Sequence, residues 1–499
     1  MRVAVYQRYL STLGGGERHA LELARFFRDR GDDIDVLAPP GTPLEVAGER
    51  LGMDVSGLDL IAVDPLRPCH DASERSAAYD CFVNVSYGSE AVNRSPMGIY
   101  ACHFPWCREG DEVAWATAPS SGEPEALAWV RAGDGLERDP AKGWWTEGHG
   151  VLDVSRTGPA PWTVVLRVGA CHRGWTGGAR TVDVLLDGHP IRRVRLPSRG
   201  AHRTVRVRLP SVRSHARHRL SLVSGATVEP STGRRLGVHV SAIRIAAPNA
   251  ETPEVGPAPF AMRSYGLVLA HSAYVARWIR TWWGLDATVV HPAVAPISVP
   301  RGARDTAERR AIVVVGRFFS DGHSKCQAEL VSAFGRLHDE GLEGWKLHLV
   351  GGVDGALGYR YLEHVRGVAQ GYPVEIHANA TRPELERRVT EASIVWQASG
   401  WRHAARAGPG RFEHFGVGIV EAMSAGAVPV VLGIGGPDEI VRHGIDGYKW
   451  TDGPEAATTS LAANPRLLQE MSRNATDRAA VFGPAQFDAN LSEALTGLA

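Results

Sequence analysis

Short apolar runs alternate with amphipathic stretches over the first 108 residues, and the alternation resumes near residue 265. Runs at 2–7, 33–38, 80–87 and 98–103 read as buried strands, and 17–30 reads as an amphipathic helix. Later strands are predicted at 267–271, 288–291, 311–316, 346–351, 374–378, 394–397 and 428–432. Helices are predicted at 273–283, 325–339, 360–371, 382–392 and 420–425, with two more in 465–480 and 484–498. Such alternation implies parallel sheets flanked by helices.

The middle of the chain has a different rhythm. Residues 109–143 are rich in Gly, Pro, Ala and acid and show little periodicity. From 144 to 247, strands of period two follow at 163–168, 181–186, 193–196, 204–209, 219–223 and 238–245. Turn pairs such as Asp187-Gly188 and Ser224-Gly225 separate them, and no long helical pattern intervenes. That describes an inserted β-sandwich. Removing an insert of about 150 residues leaves about 350 for two α/β domains of ordinary size. The predicted partition is 1–108 and 259–291 for the first α/β domain, 109–258 for the insert and 292–480 for the second α/β domain. A C-terminal helix in 481–499 is expected to pack back on the first domain.

Charge sharpens this division. The chain carries 55 Lys plus Arg against 55 Asp plus Glu, so its overall balance points to no polyanionic partner. Yet residues 151–250 hold 17 Arg, no Lys, three Asp and one Glu, a surplus of +13 that the rest of the chain offsets. Arg193 and Arg195 alternate with Val194 and Leu196, and Arg206 and Arg208 with Val205, Val207 and Leu209. These four arginines are expected to form a basic face for an anionic acceptor, lipid headgroups or polysaccharide. Aromatics are not interleaved with them, which argues against nucleic acid. The helix predicted at 273–283 sets Trp278, Trp282 and Trp283 beside Arg277 and Arg280, which suits packing at a domain hinge or contact with a membrane surface. No apolar run is long enough to span a bilayer, and the start lacks the apolar core of a signal peptide. The six cysteines show no metal-like spacing and are expected as free thiols in a reducing cytoplasm.

Three segments carry candidate chemistry. Gly14-Gly15-Gly16-Glu17-Arg18 lies between the first strand and first helix, where glycines let backbone amides approach an anion. Arg317 follows a very apolar strand and Lys325 comes eight residues later, two cations at the carboxyl end of a parallel strand. Arg grips phosphate in a fork and Lys supplies a point charge. In Arg411-Phe412-Glu413-His414-Phe415-Gly416-Val417-Gly418-Ile419-Val420-Glu421, two carboxylates flank a glycine-containing loop before a helix predicted to start near Val420. Glu413 from the loop and Glu421 from the first turn of that helix would face one cleft, with the amides of 415–419 pointing into it.

Together these segments resemble glycosyltransferase family four, a group of retaining enzymes of the GT-B fold. Glu413 and Glu421 match its E-x7-E signature, and the resemblance covers roughly 1–108 and 264–499. Gly435-Gly436-Pro437-Asp438-Glu439-Ile440-Val441 and the turn at 443–448 are similar to the family's following loop. Tyr100-Ala101-Cys102-His103-Phe104-Pro105 and the GGGER loop are similar to its lipid-linked mannosyltransferase branch. The fold implied is two Rossmann-like domains facing a cleft, plus the inserted all-β sandwich.

The resemblance implies roles residue by residue. Arg317 and Lys325 would hold the donor diphosphate, and Glu421 the ribose hydroxyls. Glu413 would touch the donor sugar, with the amides of Phe415, Gly416, Val417, Gly418 and Ile419 nearby. His103 would face the reacting sugar, and Gly15 and Gly16 would flank phosphate or acceptor. The reaction implied moves a hexose from a nucleotide-diphosphate sugar to a hydroxyl of a glycan, glycolipid or natural product, with retention. It needs no metal or other cofactor, because two cations neutralise the leaving diphosphate. The location implied is cytoplasmic, with peripheral contact on the inner membrane surface. A GT-B epimerase or phosphorylase, or a non-catalytic carbohydrate-binding protein, are the competing readings. Two features depart from the family pattern: the insert, and the lengthened segment 401–408 before Glu413.

Overall fold

Val3, Ala4 and Val5 are all fully buried, as a strand covered on both faces must be. In a computed structural model of the chain, their strand Arg2–Tyr6 lies inside a seven-stranded parallel sheet. The strand order is Thr288–Val289, Leu267–Ala270, Met97–Cys102, Cys81–Asn84, Arg2–Tyr6, Asp33–Ala38, Asp59–Ala62. The structure describes residues 1–41, 43–106, 112–118, 126–132, 136–138, 144–156, 161–169, 179–197, 201–210, 216–228, 235–247, 260–299, 305–320, 323–401 and 409–497.

A second sheet of six parallel strands runs Val374–Ala378, Lys346–Gly351, Ala311–Val315, Ile394–Gln397, Val428–Leu432, Tyr448–Trp450. Helices flank both sheets, so each half is a Rossmann-like layer structure and the pair is the GT-B architecture. Phe487, Leu491 and Leu495 of the last helix, Pro484–Thr496, join the core of the first half beside Phe26 and Phe27. The two halves form one unit, Met1–Pro105 with Phe260–Arg280 and Gly284–Ala499.

The second unit is Trp106–Pro259 with Thr281–Trp283. It holds a six-stranded and a five-stranded antiparallel sheet sharing one core, a sandwich. Leu152, Val184 and Leu222 come from one sheet, and Leu166, Val207 and Ile245 from the other. Residues 109–143, expected to be irregular, contain the paired strands Glu112–Ala118 and Ala126–Ala132 and the short strand Leu136–Arg138. Alanine-rich strands carry a weak local signal, and pairing supplies what propensity does not.

The expected basic face is corrected. Arg193 lies on the strand His189–Arg195 of the six-stranded sheet, and Arg206 on His202–Arg208 of the five-stranded one. Their flanking valines point into the shared core, so the two sets face opposite sides of the sandwich. Period-two alternation assigns a side chain to a face but says nothing about which sheet owns the strand. The membrane-surface reading of the tryptophan-rich helix also fails. Trp278, Trp282 and Trp283 are buried, in a six-residue helix Ala273–Trp278 followed by a π turn Ile279–Trp283. Arg280 pairs with Asp286 at 2.6 Å, and Arg277 lies over Tyr274 and Trp278.

Several short elements carried too little pattern to be predicted, among them the helices Leu44–Leu51, Pro68–Ser76 and Glu455–Ala463. The helix predicted near Val420 starts earlier, spanning Val417–Ser424, because Gly416 at φ 120 caps it and Gly418 does not break it. Glu421 therefore sits in the second turn rather than the first.

Candidate functional site

The site is built from strand ends and helix starts of the α/β unit. Glycine opens the first helix, Gly15–Asp29: the Gly14 amide donates to the Glu17 carboxylate at 2.7 Å, so Glu17 caps its own helix. The amides of Gly15 and Gly16 have no acceptor among the described residues. A Cβ on Gly16 would lie 3.0 Å from the His103 ring, so this position is held small by the histidine. His103 follows the strand Met97–Cys102, and its Nε2 lies 2.8 Å from the Val85 carbonyl. A carbonyl only accepts, so Nε2 carries the proton and Nδ1 keeps its lone pair. Burial lowers the His103 pKa, and the Glu17 carboxylate and the Val85 carbonyl only partly oppose it. His19 and His271 pack edge-on with it, their rings 4.5 Å apart. Burial pushes His19 down to about 3 and His271 well below its usual value.

Opposite these, the second half contributes two buried carboxylates, Glu413 held by one cation and Glu421 by two. Glu413 Oε2 accepts from Lys325 Nζ at 2.6 Å and from Ser399 Oγ at 3.2 Å, and His323 Nε2 lies 3.5 Å from Oε1. Burial alone would raise the Glu413 pKa, but Lys325 and His323 overcome it and hold the carboxyl well below the usual range. His323 itself is driven down by burial and then by Lys325. Glu421 Oε1 accepts from Arg18 Nη1 at 2.8 Å and from Arg382 Nη1 at 2.6 Å, in a buried site. Its Oε2 has no protein partner among the described residues. Arg18 is in the first half and Arg382 in the second, so one oxygen joins both.

The amides of Phe415, Gly416, Val417 and Gly418 likewise have no protein acceptor among the described residues. Ile419 differs, because its amide donates to the Gly416 carbonyl at 2.9 Å, so the predicted amide set loses that member. The Gly435-Gly436 loop acts from behind. Gly436 donates to the Glu413 carbonyl at 2.8 Å, and a Cβ on Gly436 would lie 2.3 Å from the Phe415 Cα. Those glycines are small so that two loops can touch. Phe104 stacks on His414, rings 4.7 Å apart, and Ser272 donates to the His414 carbonyl at 2.6 Å. Glu439 accepts from the amides of Ala273 and Tyr274 at 2.9 and 2.8 Å, closing the seam between the halves.

Arg317 follows the strand Ala311–Val315, is exposed, and has no ion-pair partner among the described residues. It still contributes to lowering the His323 pKa. The predicted residues thus fall in three groups, Gly15, Gly16 and His103; Lys325 with Glu413; and Glu421 with the free amides, while Arg317 stands apart from them. His323, Ser399, Arg18 and Arg382 were not singled out. Only Arg18 left a signal, in the same five-residue loop as the glycines. Of the lengthened segment 401–408 before Glu413, residues 402–408 lie outside the described residues.

Residues 302–478 match the family described as "Glycosyl transferases group 1". Over 233 residues the chain is 27% identical to the GDP-Man:Man(3)GlcNAc(2)-PP-Dol alpha-1,2-mannosyltransferase of Dictyostelium discoideum, covering 42% of this chain and 44% of that one. The match to the Xenopus laevis protein of the same name is 30% over 132 residues, 24% of each chain. The chain thus carries a domain of that family over about a third of its length. It spans less than half the length of these curated relatives in the aligned region. Two solved structures align with TM-scores of 0.54 over essentially the whole of both chains. They are Anabaena HepE in complex with UDP and glucose, and sucrose-phosphate synthase from Thermosynechococcus elongatus. Each is 12% identical to this chain, so the likeness establishes the GT-B fold.

Proposed function

We propose that this glycosyltransferase moves a hexose, with retention, from a nucleoside diphosphate sugar to a hydroxyl of a phosphate-bearing, lipid-linked glycan. The observation that carries the reading is the pair of buried carboxylates beside the second sheet, Glu413 held by Lys325 and Glu421 by Arg18 and Arg382. Lys325 and Arg317 would neutralise the leaving diphosphate, with the amides of 415–418 beside it. Glu413, ionised by its neighbours, would accept from the sugar hydroxyls, and Glu421 Oε2 from the ribose. His103, neutral and with Nδ1 unprotonated, would accept a hydrogen bond from the sugar on the opposite side. Catalysis would rest on positioning and on stabilising the departing diphosphate, whose oxygen takes the acceptor's proton as the new bond forms on the same face. No step needs a metal.

The acceptor class is inferred from the relatives, whose name specifies a lipid pyrophosphate glycan, and from arginines in the insert. Arg167, Arg206, Arg208 and Arg244 share the outer face of the five-stranded sheet, exposed and without ion-pair partners among the described residues. Such a face suits a phosphate-rich acceptor at a membrane surface. No helix among the described residues is long and apolar enough to cross a membrane.

Calorimetry with GDP, UDP and their sugars tests the donor half. Binding should weaken at least about tenfold in Lys325→Ala, the loss of one charge-assisted phosphate contact. Unchanged affinity would remove Lys325 from the site. NMR of the product linkage tests retention, and an inverted product refutes it.

A further inference from the structure

Away from this site, two histidines and a glutamate converge on one face of the second sheet. His348 lies on Lys346–Gly351, and Glu375 and His377 lie on the edge strand Val374–Ala378. His348 stands opposite Glu375 in the parallel register, and His377 is two residues further, so all three share a face. His348 Nδ1 is 3.4 Å from His377 Nε2 and 3.5 Å from Glu375 Oε2, and His377 Nε2 is 3.7 Å from the same oxygen. The circle through these three atoms has a radius of about 2.0 Å, the length of a zinc–imidazole or zinc–carboxylate bond. An ion at its centre would be at bonding distance from all three.

The surroundings prepare the donors. His377 Nδ1 lies 3.4 Å from Glu384 Oε1, a carboxylate behind the ring that places the proton on Nδ1 and frees Nε2. Glu375 Oε1 accepts from Lys346 Nζ at 2.8 Å, leaving Oε2 turned toward the rings. Arg388 Nη1 is 3.4 Å from Glu375 Oε2 but also 3.0 Å from Glu391, which can keep it when the first contact is lost. Glu375, Glu384 and Glu391 outnumber Lys346 and Arg388, which favours a cation.

We propose that His348, Glu375 and His377 bind a zinc ion, with water in the remaining position, as a structural site outside the transfer chemistry. The ion joins the edge strand to its neighbour beneath the helix Arg382–Glu391. That helix begins with Arg382, which holds Glu421. The ion therefore stiffens the support of the donor site without touching it.

The full chain, stripped by chelator, is dialysed against zinc and then against metal-free buffer, and its metal content measured. About one zinc per chain is expected to remain, with a raised thermal midpoint that magnesium does not reproduce. Cobalt in its place should show the visible absorption of a low-coordinate site. His377→Asn and Glu375→Gln, both at partly exposed positions, should each lose the ion and the thermal shift while keeping the far-ultraviolet circular dichroism of the parent. Wild-type chain that retains no zinc overturns the proposal. So does an equivalent retained in either folded variant, because the ion is then bound elsewhere.

Discussion

Arginine serves two ends in this molecule, and the difference lies in what stands across from it. In the α/β unit Arg18 and Arg382 converge on one buried carboxylate oxygen, so their charge is spent inside the protein. In the sandwich, the six-stranded sheet places Asp183 opposite Arg193 and Asp153 opposite Arg219, at 2.6 and 3.5 Å. On the five-stranded sheet Arg167, Arg206, Arg208 and Arg244 have no ion-pair partner among the described residues. Arg206 and Arg244 flank Val165 in one cross-strand row, with Arg167 two residues along the central strand. A paired guanidinium holds structure together, and an unpaired one remains available to an outside anion.

The largest effect should come from the buried pairing. Glu421→Ala leaves two guanidinium groups facing each other without their acceptor, and should cost about 3–5 kcal/mol of stability. Chemical denaturation measures this, and a loss below 1 kcal/mol would mean that water reaches the site and the contrast with the sandwich is false. Glu413→Gln keeps shape while removing charge beside Lys325. It should leave the fold intact and lower turnover about a hundredfold, the order expected for one preorganised electrostatic contact. Near-normal turnover would reduce Glu413 to a structural cap.

Acid should find the buried histidines next. His19 and His271 have depressed values in the folded state, so the unfolded chain binds more protons than the folded one below pH 6.5. Their contribution is intact above that pH and is lost as pH falls, at up to about 1.4 kcal/mol per pH unit for each ring. Thermal midpoints measured from pH 7.5 to 5 should fall accordingly, and His19→Gln should flatten the slope. A slope unchanged by that substitution would show that other groups set it.

The smallest effects separate the two sandwich faces. Arg206→Glu with Arg244→Glu should raise the acceptor KM several-fold and reduce its salt dependence, while donor affinity stays the same. Arg193→Ala should change neither, because its charge is already met by Asp183 at the surface. Equal effects from both sheets would erase the distinction between paired and unpaired arginines.

The architecture was legible because its signals are local. Runs such as 311–315 and 428–432 are apolar throughout, and only a strand covered on both faces tolerates that. Period two between 163 and 246 identified the sandwich for the same reason: each alternate side chain is either core or surface. The E-x7-E spacing and the Lys325 cation stood out because few other arrangements need those residue types together. Other partners were invisible. Arg382 opens an ordinary exposed-looking helix, and 39 residues separate it from Glu421. Arg18 is 403 residues from the same carboxylate. His348 and Glu375 became neighbours through strand pairing, which no spacing in the chain announces. By itself, then, the sequence determined the elements, their alternation and the chemistry available at the strand ends, since burial and backbone preference act over a few residues. Which charge meets which, which sheet owns an arginine strand, and where histidines converge were decided only by the tertiary structure, because electrostatic and ligating contacts depend on distances that chain order does not encode.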